Sequence, residues 1–196
     1  VFIIFMIGYL PVFLVKIRQA DSPKRLLRER FGFFSPEFRE RVANRNLIWI
    51  HAVSVGEALA ARPFFEELLD KFPTYRFVIS TVTPTGNKVA RSVSGGRAEV
   101  IYFPVDISWI TRRVVTLLNP RLILLMETEL WPNLILSAKK NSTKVAVVNG
   151  RLSPKSFRSY YRFQQLLYPV LRRVDVYLAQ TQRYAKRLER IGVPAD

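Results

Sequence analysis

A doubly wound α/β domain built on a parallel sheet is the fold class this sequence predicts. Short apolar runs and helix-period segments alternate six times between Asn46 and the end of the chain. The runs are near-continuous in apolar residues rather than alternating, the pattern of strands buried on both faces. At four run ends the chain turns polar within a residue or two, where a strand of such a sheet empties into a loop.

The totals narrow the chemistry. At 196 residues the chain suits one domain with a sizeable core. Its 31 Lys+Arg against 15 Asp+Glu give a formal net charge of +16, which points to an anionic partner: nucleic acid, a membrane surface or a phosphorylated ligand. There is no cysteine, which removes disulfides, thiolate zinc sites and cysteine nucleophiles. The single histidine, His51, rules out a histidine-cluster metal site and would have to carry any Ser-His-Asp triad. Carboxylates are left as the main acid–base groups.

The chain begins at Val1, not Met, and stops at Asp196 soon after a helical pattern, so it reads as a piece of a longer protein. Val1–Val15 carries no charge, and Lys16, Arg18, Lys24, Arg25, Arg28 and Arg30 come directly after it. A full membrane span needs about 20 residues, which a missing start could supply. Basic residues immediately beyond the apolar run argue against a signal peptide and place the downstream domain in the cytoplasm. Residues 1–20 are therefore expected to be a membrane anchor, with a buried core helix as the alternative. Residues 21–45 are basic with scattered Phe31, Phe33, Phe34 and Phe38. They form either an interfacial segment against lipid headgroups or a connector whose phenylalanines pack on the domain.

From residue 46 to 196 the chain reads as one Rossmann-like domain. Strand patterns are Leu47–Val53, Arg76–Thr81, Glu99–Phe103, Leu122–Met126, Lys144–Val148 and Val176–Ala179. Helical patterns between and after them are Glu57–Phe72, Thr85–Ser92, Ile107–Leu118, Leu130–Lys140, Ser156–Val174 and Gln182–Ile191. Pro63 is expected to kink the first helix or mark its effective start.

Ligands of open α/β sheets bind where loops and helix N-termini converge at the carboxyl ends of the strands. Four polar clusters fall there: His51–Glu57, Thr81–Gly86, Glu127–Pro132 and Asn149–Ser153. None is a dinucleotide fingerprint or a phosphate-binding P-loop, which disfavours an NAD enzyme and a P-loop ATPase. Glu57 and Glu127 leave the same edge, so one could act as a base and the other as an electrostatic stabiliser. Each could equally serve a helix N-terminus, where a carboxylate stays ionised. His51 reads as a buried, hydrogen-bonded strand residue ahead of a pocket residue. Thr81, Thr83 and Thr85 suit strand-ending and capping roles as well as a site. Arg151 is suited to bidentate phosphate binding, or to a surface salt bridge. From Arg151 to Asp196 ten Lys+Arg stand against three acids, with Tyr160, Tyr161, Phe163 and Tyr168 interleaved. A nucleic-acid surface would fit that stretch but leaves the apolar start unexplained, whereas a phosphorylated lipid accounts for both. No nucleic-acid partner is expected.

Six strings in order, IWIHAVSVGE, TVTPTGNK, VIYFPVD, LLMETELWPNLI, VNGRLSPKSFRSY and LAQTQRYAKRLERIGVP, closely resemble bacterial Kdo transferase. That family moves 3-deoxy-D-manno-octulosonic acid (Kdo) from CMP-Kdo onto a lipid A precursor in lipopolysaccharide biosynthesis. The resemblance runs from about Leu47 to Pro194, with a similar anchor before it. It implies the N-terminal, acceptor-binding Rossmann-like domain of a GT-B glycosyltransferase at the cytoplasmic face of the bacterial inner membrane. The family's C-terminal, donor-binding domain is absent from this chain, so this segment alone is expected to be an incomplete catalyst. The resemblance makes Glu57 the general base of an inverting transfer and Glu127 the transition-state stabiliser. Ser54, Gly56, Thr83 and Arg151 are the candidate substrate-binding residues. No cofactor and no metal are implied. Gly150 departs from the family's usual alanine, and Phe103 and Val105 depart around Pro104. A non-catalytic module that docks on anionic lipid is the rival reading.

Overall fold

The computed structural model describes residues 20–43 and 45–194. The membrane anchor expected over residues 1–20 lies, apart from Ala20, outside the described residues. Among the described residues no helix is long and apolar enough to cross a membrane.

Two short helices, α1 (Pro23–Arg30) and α2 (Pro36–Val42), precede the sheet; each starts at a serine N-cap followed by proline. The alternation then runs β1 (Leu47–His51), α3 (Val55–Lys71), β2 (Arg76–Thr81), α4 (Pro84–Ser94), β3 (Glu99–Tyr102), α5 (Ser108–Leu118), β4 (Leu122–Met126), α6 (Pro132–Lys140), β5 (Lys144–Gly150), α7 (Pro154–Arg162), α8 (Gln164–Leu171), β6 (Val176–Ala179) and α9 (Gln182–Arg190). All six strands are parallel, in the order β3-β2-β1-β4-β5-β6. This is the predicted Rossmann-like sheet. The order reverses between β1 and β4, which pair from Ile48↔Leu122 to His51↔Leu125 and so create a switch point between their carboxyl ends.

Period-two alternation divides the core in two. Leu47 and Trp49 join Ile123, Leu125 and residues of α5 and α6 on one face. Ile48 and Ile50 meet Ala58, Ala61 and Phe65 of α3 on the other. Phe34 and Phe38 pack into the first of these layers, so residues 21–45 follow the connector alternative in part, while Phe31 and Phe33 stay exposed. α1 also seals the sheet edge. Arg25 donates to the Val100 carbonyl at 2.6 Å, and Glu29 accepts the Tyr102 N–H at 2.8 Å, at ladder positions a further strand would otherwise use.

Several elements differ in extent from expectation, most by one or two residues. β1 ends at His51 and α3 begins at Val55, because Ser54 caps that helix two residues earlier than the pattern suggested. Pro63 lies within α3 without ending it; the carbonyl its missing N–H would have met belongs to solvent-facing Leu59, which water can satisfy. The single helix expected over Ser156–Val174 is two, broken at Phe163. α7 fully buries no residue, its Phe157 and Tyr160 being only partly covered, while α8 turns to bury Val170 and Leu171.

Candidate active site

Glu57 leaves the first turn of α3 directly above the switch point. Ser54 Oγ accepts the Glu57 N–H at 3.3 Å and donates to Glu57 Oε1 at 2.9 Å, while Glu57 Oε2 accepts the Val53 N–H at 2.8 Å. The pair forms a reciprocal capping arrangement that fixes the carboxylate in one orientation. Glu57 is only 6% exposed, and this burial raises its pKa to about 7, helped by the negative charges of Glu129 and Glu127 and opposed by the Val53 and Ser54 hydrogen bonds. The expectation that a helix N-terminus keeps this group ionised is corrected: desolvation wins, and the carboxyl is poised near neutrality.

Across the crevice, Glu127 follows β4 with φ of 55°. A left-handed glutamate is unusual, and its N–H is held by the Val148 carbonyl at 2.8 Å. Its carboxylate lies 3.6 Å from the Arg151 guanidinium. That pair is largely exposed and correspondingly weak, so Arg151 remains available to an anion. Glu127, Glu129, Arg151, Ser153, Ser156 and Tyr160 line one cavity of about 240 Å³. Its walls are tied together by Thr128, which donates to the Arg151 carbonyl, and by Tyr160, which donates to the Thr128 carbonyl. Glu129 is half-buried, and burial and Glu127 raise its pKa.

The remaining candidates divide. Ser54 is committed to Glu57. Gly56 opens onto space: a β-carbon there would meet only Ser54 Oγ, at 3.9 Å. Thr83 caps α4 by accepting the Gly86 N–H at 3.0 Å. At Gly86 an added β-carbon would lie 2.8 Å from Thr83 Oγ1, so the glycine leaves room for this cap, and where the two loops meet the Val82 N–H donates to the Val53 carbonyl at 3.3 Å. Thr83 thus belongs to the loop that meets the Glu57 loop, and it does not line the cavity with Arg151.

His51 is fully buried. Its Nδ1 sits 2.9 Å from Ser80 Oγ, its ring stacks on Phe103 at 3.9 Å, and Trp131 approaches edge-on at 5.5 Å. Burial pushes its pKa down to about 3, which keeps the imidazole neutral.

Geometry of this kind does not assign a family by itself, but sequence similarity does. A family model described as 3-deoxy-D-manno-octulosonic-acid transferase (kdotransferase) matches residues 25–196. The chain belongs to the Kdo transferase family. It is 31% identical over 174 residues to a 3-deoxy-D-manno-octulosonic acid transferase of Haemophilus influenzae, covering 83% of this chain and 41% of that protein. A transferase of the same name from Chlamydia pneumoniae is 31% identical over 186 residues, 94% of this chain and 42% of its own length. A bifunctional glycosyltransferase/methyltransferase of Fusobacterium nucleatum is 34% identical over 150 residues, 74% of this chain and 23% of that protein. The chain spans about two fifths of the length of the two Kdo transferases.

Sequence reasoning left one structural residue of this Kdo transferase domain without a role. Asp106, buried after β3, accepts the N–H groups of Asn133 at 3.1 Å and Leu134 at 2.8 Å, capping α6 from across the fold. The signal was present: α6 begins with Trp131-Pro132, which offers no side-chain cap, so its first amides needed an acceptor from elsewhere. This brace fixes the C-terminal end of the loop that carries Glu127 and Glu129.

Proposed function

We propose that this domain is the acceptor half of an inverting Kdo transferase that uses CMP-Kdo to glycosylate a lipid A precursor at the cytoplasmic face of the bacterial inner membrane. The observation that carries the reading is Glu57: a buried carboxyl with a pKa of about 7, fixed by two hydrogen bonds at the switch point of a Kdo transferase family domain. A general base works best when its pKa lies near the operating pH.

In the reaction as proposed, a sugar hydroxyl of the acceptor approaches Glu57 from the crevice. Its oxygen attacks the anomeric carbon of Kdo on the face opposite CMP. The bond from that carbon to the phosphate oxygen breaks, CMP leaves with the electron pair, and Glu57 takes the hydroxyl proton. Glu127 faces the developing positive charge on the sugar ring and stabilises it electrostatically. Arg151 and Ser153, on the cavity wall, are placed to hold an anionic group of the acceptor, and open space at Gly56 lets the sugar come close. CMP departs as a stable anion, so no metal or other cofactor enters the scheme. The donor is held by a GT-B partner domain outside this chain.

The test is transfer of Kdo by the full-length protein, with CMP release and product mass recorded for wild type and Glu57→Gln. The expected loss is at least about 100-fold. Equal activity in both would remove Glu57 as the base, and no product from folded wild type would leave the lipid-docking module as the better account.

A further inference from the structure

The helical pair α7–α8 stands out from the rest of the surface. Tyr161, Phe163, Leu166 and Tyr168 are 54%, 45%, 68% and 42% exposed. Singly exposed apolar residues are ordinary, but four within eight positions form a patch that calls for a partner. Along the chain the charge here has one sign. Between Arg151 and Val174 there are six Lys+Arg and no Asp or Glu. Arg172 lies over the Tyr168 ring at 5.4 Å and donates to its hydroxyl at 3.1 Å, holding a cation at the level of an aromatic tip.

We propose that the exposed face of α7–α8 is the surface by which this protein rests on an anionic lipid bilayer, with the mouth of the Glu127–Arg151 cavity at headgroup depth. Two observations select a bilayer as the occupant. Amphipathic aromatics interleaved with cations match an interface that is apolar below and phosphate-rich above. The surface is also continuous with the candidate site: Ser156 and Tyr160 of α7 line the cavity, while Tyr161 and Phe163, exposed, lie outside its lining. A lipid-borne acceptor keeps its sugars at the membrane surface, so the cavity that receives them must lie beside whatever touches the membrane. This orientation rests on the proposed lipid A acceptor; the lipid contact does not. It places the interfacial surface on α7–α8 rather than on residues 21–45.

The test puts a reporter in the patch of the full-length protein. Leu166→Trp is compared with Leu59→Trp, an exposed position on α3 across the sheet, with unsubstituted protein as the background. Each is mixed with phosphatidylcholine vesicles containing phosphatidylglycerol, with and without bromine on the acyl chains. The expected result is a blue shift and bromine quenching for the residue 166 reporter only. Replacing Arg158 and Arg162 by glutamine should weaken vesicle affinity by about fivefold per cation. Equal responses at both positions, no response at residue 166, or tighter binding to an oligonucleotide than to vesicles would each overturn the proposal. Kdo transfer to a detergent-solubilised acceptor is measured in parallel. Transfer without lipid contact sinks the docking surface alone; contact without transfer sinks the proposed reaction alone.

Discussion

On one flank the sheet ends in β3, whose outward hydrogen bonds are taken by Arg25 and Glu29. On the other it ends in β6, where Val176 and Leu178 stand 47% and 52% exposed and the pairing with β5 loses register between Val147 and Gly150. The loops show the same division. On the β3 side, Ser54 and Thr83 cap their helices and the Val82 N–H donates across to the Val53 carbonyl. On the β6 side, Glu127 and Asn149 hold left-handed φ angles of 55° and 60° at the ends of adjacent strands. The difference teaches a division of labour. The closed flank fixes the proposed base, and the open flank supplies the cavity and the surface beside it. Non-glycine residues in left-handed conformations persist where surrounding structure dictates them, often at functional sites.

The largest effect that bears on this division is a pH dependence. With Glu57 at about 7, transfer should fall about tenfold per pH unit below neutrality as the carboxyl gains its proton. Stability runs the other way. The folded state holds a proton that the unfolded chain releases between the ordinary value of 4.5 and about 7, so stability declines as pH rises through that window. Glu57→Gln should lessen this decline in melts recorded across the same range, leaving what Glu129, Glu29 and Asp106, also raised by burial, contribute. A flat activity profile would break the assignment of the base to the closed flank.

Next comes the edge itself. Glu29→Ala leaves the Tyr102 N–H buried without its acceptor and deprives Arg25 of its carboxylate. Urea melts should show a loss of about 2–3 kcal/mol, whereas Leu178→Thr on the open edge should stay within about 0.5 kcal/mol. Equal losses would erase the contrast between the two flanks. Asp106→Asn tests how the flanks are joined, because Asp106 follows β3 and caps α6. One of its two accepting oxygens becomes a donor facing an amide, for an expected loss of about 1–2 kcal/mol in the same melts. The smallest effect is expected at Gly150→Ala. The new methyl would sit 3.3 Å from the Leu178 carbonyl, and a shift of β6 by a few tenths of an ångström would relieve it. A cost under about 1 kcal/mol is expected from thermal melts; a larger one would show the β6 flank to be stiffer than its exposure suggests.

The alternation of elements was legible because strands buried on both faces must be apolar throughout, and Leu47–His51 and Leu122–Met126 announce themselves that way. Glu57 and Glu127 were legible as the first acids after those strands. What was hidden depended on contacts distant in sequence. Arg25 and Glu29, one helical turn apart, look like a solvent-facing ion pair until β3 is set beside them. Asp106 lies about 27 residues before the amides it caps. The elevated pKa of Glu57 needs the burial that only the assembled crevice provides, and the turn at Phe163 is decided by what α8 can bury, not by any breaker within the helical pattern.

One consequence of the buried His51 reaches beyond packing. It is the sole imidazole in the 196 residues, and its pKa of about 3 removes it from any titration near neutrality. An infrared difference spectrum recorded across neutral pH should therefore carry a carboxylic C=O band that gives way to carboxylate, unmixed with ring modes from this domain. Within these 196 residues no imidazole background remains at the pH where the proposed base changes state.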